Sequence, residues 1–348
     1  MFREYFKYYK SKRLKPDFKN VINFRDSKDI EDKVSVIYLE GNCISSALPL
    51  GVQPICNWQC YALSKHPGLI VIRNAFTVQG QRYWISRCLR DFPKHPNRIN
   101  LNENLFSRGV MEDWWLALQQ CCDKDEAKRL KIAMRWSTMG YHHNWDTKVY
   151  SERLRTDFPE DLAKMCNFFA QVLGYETFQA QAAIVNYYSI GSTLSGHTDH
   201  SEPNQDAPLF SFSFGQTAIF LIGGLTLEMR PTALFLESGD VLVMTSESRL
   251  CYHAVPLIMK AREDSWNAHI ASKPIDLIKQ TVGKGMRTEL DHLNSNETEF
   301  VQWSTSCLLY EQVCNEAFWL PYSNYLQDSR LNINVRQVLN EDQETLMQ

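Results

Sequence analysis

Four consecutive residues, His197-Thr198-Asp199-His200 in the run "STLSGHTDHSEPN" (192–204), set two imidazoles around one carboxylate. These groups suit a divalent metal such as Fe(II) or Zn(II). Two histidines and a carboxylate on one face of the metal leave the opposite positions open to other ligands. His-x-Asp alone is a common tripeptide, so a third ligand must come from elsewhere. His253, His269 and His292 are the distant candidates. His253, in "SRLCYHAVP", follows the strand-like "SGDVLVM", and hairpins could return it to the first pair. His269 and His292 stand in polar text, where a solvated ring is the default. His142 and His143 are a runner-up pair with no His-x-carboxylate beside them. Alternate side chains of an extended segment share a face, so His197 pairs with Asp199 while His200 turns away. The expected ligand set is His197, Asp199 and His253.

The late run "SRLNINVRQ" carries a second pattern. At period two, Arg330, Asn332, Asn334 and Arg336 line one face of a strand and Leu331, Ile333 and Val335 the other. Two guanidiniums turned into a filled core would be costly. Around a buried dianion they fit, because the arginine fork matches a carboxylate. The plainer alternative is an edge strand with a solvated charged face. In "VNYYS" (185–189), Asn186 and Tyr188 share a face, and an amide and a phenol can both donate to carboxylate oxygens.

These residues need a scaffold. Phe2, Tyr5, Phe6 and Tyr9 form an apolar helical stripe that Pro16 follows, with Lys7 and Lys10 on another face. Residues 25–50 read as loop, 67–76 as a strand, 77–93 and 158–175 as helices, and 110–136 as helix or helix-loop. Residues 141–150 read as a loop or hairpin. From residue 177 onward the text becomes short strand-like runs between Gly, Ser, Pro and Asp turns. Helices feeding many short strands predict an α+β fold with a jelly-roll or barrel core. The implied organisation is a basic N-terminal helix or arm (1–24), a helical support and lid (25–176), a core (177–340) with an insertion at about 257–328, and a tail (341–348).

Composition bounds the rest. The chain has 348 residues, 44% of them hydrophobic and 22% charged, which is ordinary globular composition, and a net charge of −3. That balance argues against tight, non-specific duplex binding. Residues 1–19 nevertheless carry seven basic side chains against two acidic ones, a face that could meet phosphates. The ten cysteines show no CxxC and no secretory apolar run is present, so reduced thiols in an intracellular protein are expected. Nucleus, mitochondrion and cytoplasm all remain open. No membrane span is expected, and a monomer is.

Taken in order, Asn-x-Tyr, His-x-Asp, a distant His and Arg-x-Asn-x₃-Arg resemble the AlkB family of Fe(II)- and 2-oxoglutarate-dependent dioxygenases. "LFSFSFGQTAIFLIGGL", "LESGDVLVM" and "SRLCYHAVP" carry the same likeness, and "RWSTMGYHHNWDTKVY" is similar to the type-one homologues of animals. The resemblance implies a double-stranded β-helix, cupin-like, holding iron through His197, Asp199 and His253. It further implies 2-oxoglutarate with its distal carboxylate at Arg330 and Tyr188, with Asn186, Asn332 and Arg336 nearby, and O₂ as oxidant (ascorbate serving as reductant in vitro). The activity implied is hydroxylation of an N-methyl group on a nucleobase, whose hemiaminal collapses to formaldehyde and the unmodified base. A structured RNA such as tRNA bearing 1-methyladenine is the leading substrate. N6-methyladenine in single-stranded or unpaired DNA comes next, and oxidation of 5-methylcytosine belongs to the same class. The alternative is a protein demethylase or hydroxylase acting on histone lysine. A target base must be extruded, and Tyr141, His142, Asn144 and Trp145 are the expected lid over it, with Lys7 and Lys10 on phosphates. Ser201 and Leu227 replace the acidic residue and the arginine that contact the base in the bacterial enzyme, so base recognition is expected to differ.

Overall fold

The computed structural model describes residues 1–13, 15–26, 32–39, 48–270 and 297–346, with side chains from 304 onward in the last segment. His292 lies outside them. Two sheets form the centre. The strands are β1 (Val21–Ile22), β2 (Val34–Ile37), β3 (Gln59–Leu63), β4 (Leu69–Arg73), β5 (Arg98–Ile99), β6 (Trp136–Gly140) and β7 (Ala182–Ser189). They continue with β8 (Leu194–His197), β9 (Leu209–Gly215), β10 (Thr217–Ile222), β11 (Thr232–Leu236), β12 (Val241–Met244), β13 (His253–Met259) and β14 (Ser329–Arg336). The smaller sheet has the order β1-β11-β10-β13-β8 and the larger β2-β3-β4-β12-β9-β14-β7-β6-β5. Antiparallel pairing predominates, as in a jelly roll.

Alternation within the strands decides what lies where. Phe210, Phe212 and Phe214 of β9, Leu331, Ile333 and Val335 of β14, and Ala183, Val185 and Tyr187 of β7 face the helices in one apolar layer. The other parity turns Ser211, Ser213, Arg330, Asn332, Asn186 and Tyr188 into the roll. The β14 strand is central, hydrogen-bonded to β7 on one side and β9 on the other. It is therefore not the solvated edge that its arginines also allowed.

Several elements differ from the sequence reading. Residues 34–37 form a strand where a loop was expected. Only Val34 of that strand is buried, so its pairing with β3 supplies the order that its own pattern lacks. The stretch 110–136 is broken into helices Arg108–Glu112, Trp114–Gln120 and Lys124–Ala133 before β6 begins at Trp136. Asp113 and Asp123 punctuate it by accepting backbone N–H groups of Leu116, and of Asp125 and Glu126. The text between β13 and β14, read as an insertion with some helix, is in its described residues more buried than its polar composition suggests. It supplies helices Glu297–Gln312 and Glu316–Leu326, and Trp319, Tyr322, Tyr325 and Leu326 are buried in the helical layer. Buried Arg82 secures it by donating to the carbonyls of Trp266 and Val313 and to Glu316. Among the described residues no helix is long and apolar enough to cross a membrane.

Helix α1 (Phe2–Lys10) docks on the outer face of the smaller sheet. The Phe2 ring is fully buried against Gly196 of β8 and Gly223 after β10, where an added Cβ would stand 2.9 and 2.8 Å from it. The Phe2 amide donates to Leu227 O at 3.0 Å, so Leu227 anchors this helix. Lys7 and Lys10 stay exposed. Phe2→Ala is expected to cost about 3 kcal/mol, read as a lower Tm with loss of α1 docking.

Candidate active site

Strands β8 and β13 are antiparallel neighbours, and His197 stands directly opposite His253. Their ring centroids are 4.3 Å apart. Asp199 follows β8 and turns back between them: His197 Nε2 is 3.9 Å from its Oδ1 and His253 Nε2 3.7 Å from its Oδ2. The ligand-capable atoms of the three residues all lie within 4.8 Å of one another. Each imidazole sets Nδ1 against a carbonyl two residues earlier, Ser195 O at 2.9 Å and Cys251 O at 3.1 Å. A ring nitrogen facing a carbonyl carries the proton, which leaves each Nε2 lone pair free toward the centre. Burial and neighbouring His197 lower the pKa of His253 to about 4, against the pull of Asp199, so it is neutral at neutral pH. Exposed His200 turns away, its Nδ1 2.7 Å from Thr198 Oγ1. His269 is exposed as well.

The carboxylate is held from behind. Burial alone would push the Asp199 carboxyl up, but Arg336, the two imidazoles and Arg249 outweigh it and keep it well below the usual carboxylate range. Arg336 Nη2 donates to Asp199 Oδ2 at 2.9 Å. Arg249 Nη1 donates to Asp199 O at 2.6 Å, its Nη2 to Glu202 Oε2 at 3.1 Å and its Nε to Ala207 O at 3.1 Å. Glu202 also accepts from Tyr150 Oη at 2.8 Å. Sequence reasoning gave Glu202, Arg249 and Tyr150 no role. The available signals were a carboxylate three residues after Asp199 and the arginine of "SRL", but nothing local tells which partners they meet.

Deeper in the roll, Arg330 is paired in register with Tyr188, and Asn332 with Asn186. Arg330 donates to the carbonyls of Gln216 and Leu236 and to Ser213 Oγ at 3.0, 3.2 and 2.7 Å. Asn332 donates to Ser211 Oγ and Phe212 O. Among the described residues no carboxylate forms an ion pair with Arg330. Burial pulls its guanidinium down to about 10, with Tyr188 and Asp240 countering. Burial likewise pushes the Tyr188 phenol up to about 12. Arg336 Nη1 is buried without a hydrogen-bond partner. Together these leave a buried, cation-rich inner face of the roll beside the His-Asp-His group.

The expected lid separates into two parts. Tyr141 is fully buried, its hydroxyl donating to Glu152 at 2.8 Å and its ring under Arg155. His142 is also buried, between Thr138 Oγ1 at 2.7 Å and Thr156 Oγ1 at 3.1 Å. Neither ring is free to stack on a base in this conformation, because these partners hold both inward just past the end of β6. Asn144 shapes the turn by accepting from the amides of Asp146 and Thr147. Trp145 is half exposed, beside Trp136 and His143. His143, a runner-up ligand candidate from the sequence, stands outside the three-residue cluster and reaches Ser201 Oγ at 3.1 Å.

Burial and Arg98 lower the pKa of His142 from 6.5 to about 4. Between those values the unfolded chain binds a proton that the folded chain does not, so stability falls as pH drops through this window. The loss is about 3 kcal/mol at most. His142→Gln is expected to flatten the dependence of Tm on pH between about 6.5 and 4.

The model of the 2OG-Fe(II) oxygenase superfamily matches residues 68–336, which contain every residue of the two clusters just described. The chain belongs to this superfamily. Its similarity to AlkB-type relatives then runs along most of its length. It is 34% identical to nucleic acid dioxygenase ALKBH1 of Homo sapiens, over 98% of this chain and 85% of that one. It is 29% identical to DNA N(6)-methyladenine demethylase ALKBH1A of Arabidopsis thaliana, over 80% and 77%. With tRNA demethylase abh1 of Schizosaccharomyces pombe the identity is 33%, over 57% of this chain and 71% of that one.

Proposed function

We propose that the protein is an Fe(II)- and 2-oxoglutarate-dependent demethylase of nucleic acid, with tRNA 1-methyladenine as leading substrate and N6-methyladenine in unpaired DNA next. The observation that carries the cofactor assignment is Arg330. It is a buried guanidinium that, among the described residues, forms no ion pair with a carboxylate, and it is set across from Tyr188 inside the roll, on the side of Asp199. An isolated buried cation is unfavourable, and a diacid would relieve it. The donor set suits iron: two imidazoles with Nε2 turned toward the centre and one ionised carboxylate. Bound there, iron would couple oxidative decarboxylation of 2-oxoglutarate to hydroxylation of a substrate C–H bond.

The chain's own residues prepare that chemistry. Ser195 and Cys251 carbonyls fix the imidazole tautomers. Arg336 orients Asp199 and keeps it ionised, while Arg249 pins the loop from Asp199 to Ala207. Arg330, Tyr188 and the amide of Asn186 supply donors for the diacid, while Asn332 braces β14 against β9. Trp145 offers an exposed ring for a base, and Lys7 and Lys10 offer charge for phosphates.

The nucleic-acid class is supported by the Homo sapiens and Schizosaccharomyces pombe relatives, named for action on nucleic acid and tRNA. A competition at matched turnover between methylated tRNA and methylated histone peptides tests it. Succinate formation should follow tRNA; stimulation by the peptide alone would overturn the reading.

A further inference from the structure

At one end of the smaller sheet four residues form a row across four strands: Thr232 opposite Ile222, Ile222 opposite His253, and His253 opposite His197. Adjacent strands lie about 4.8 Å apart, so Thr232 stands about 14 Å from His197 at the same end of the roll. Next to Thr232 is a cavity of about 330 Å³. Its walls include Tyr5 of α1, Lys33 before β2, Lys65 and His66 in the β3–β4 turn, and Arg230 before β11. The walls are tied together, since buried His66 places Nε2 2.7 Å from Thr232 Oγ1. Arg230 is held over the Tyr5 ring at 5.1 Å.

The charge here is of one sign. No carboxylate lines the cavity, and among the described residues Lys33, Lys65 and Arg230 are in no ion pair. Three cations converging without a counter-charge attract an anion. The absence of thiol or carboxylate ligands is wrong for a metal. We propose that this cavity binds a backbone phosphodiester of the substrate strand, a few nucleotides from the base presented to the His-Asp-His group. A stacked strand advances about 3.4 Å per nucleotide, so the separation corresponds to about four stacked steps, or fewer if the strand is splayed. This inference rests on the nucleic-acid reading above and deepens it, assigning a substrate contact remote from the chemistry.

The test is the full-length Lys33→Ala/Lys65→Ala/Arg230→Ala variant, with unmodified tRNA binding followed by fluorescence anisotropy over a KCl series. Affinity should fall about tenfold, and the log–log salt slope should shrink by about one for each phosphate no longer neutralised. Turnover of a methylated dinucleotide, too short to span the distance, should not change. Unchanged tRNA affinity and slope, or an equal loss on the dinucleotide, would overturn the assignment. Calorimetry with inorganic phosphate alone forms a second arm. Phosphate binding abolished in the variant while tRNA binding persists would mark a free-anion site and also overturn it. Wild-type enzyme that binds tRNA through these residues yet demethylates nothing would instead sink the proposed function and leave the cavity's role standing.

Discussion

Asp199→Ala is expected to abolish succinate production and to weaken metal binding by more than about 100-fold, beyond the 10–100-fold typical of losing an outer partner. The carboxylate supplies the only negative charge among the three ligand candidates, and it lies between the two imidazoles. It is also the partner of Arg336, so alanine strands a buried guanidinium and stability will fall as well. Asp199→Asn separates the two effects. The amide oxygen can still accept from Arg336 but offers no charge to a metal. Equilibrium dialysis with Mn(II), beside a thermal melt of each variant, reads both. Full turnover by either variant would remove Asp199 from the metal.

Arg330→Met should raise the 2-oxoglutarate concentration needed for half-maximal turnover by about two orders of magnitude, the usual scale for truncating one partner of a buried charge pair. The expected thermal effect is small. Without the diacid, Arg330 is a buried cation satisfied only by carbonyls and a serine, and an apolar chain of similar length removes its desolvation cost. Unperturbed 2-oxoglutarate dependence would mean that Arg330 serves only to bridge β14 to its neighbours.

Much of this site was legible because β-strands alternate. Period-two reading of "LNINVR" and "VNYY" divides the polar inner face from the apolar face, and β7 and β14 keep that division along their whole pairing. The pairing of His197 with Asp199 rests on the same parity, extended two residues past β8. Residues whose roles depend on chain crossings were not legible. Glu202, Arg249 and Tyr150 meet through loops 47 to 52 residues apart. Tyr141 and His142 looked like lid residues because they lack core periodicity. Yet Glu152 and two threonines satisfy their polar atoms, and that satisfaction permits burial. Strand β2 escaped notice for a related reason, since most of its order comes from β3 and not from its own side chains.

The most direct measurement is mass spectrometry of nucleosides from total tRNA and DNA after incubation with enzyme, iron, ascorbate and 2-oxoglutarate, with formaldehyde and succinate quantified in the same reaction. Loss of a methylated nucleoside, gain of its unmodified form, and one formaldehyde for each coupled succinate are the expected result. Succinate formed with every nucleoside unchanged would contradict it.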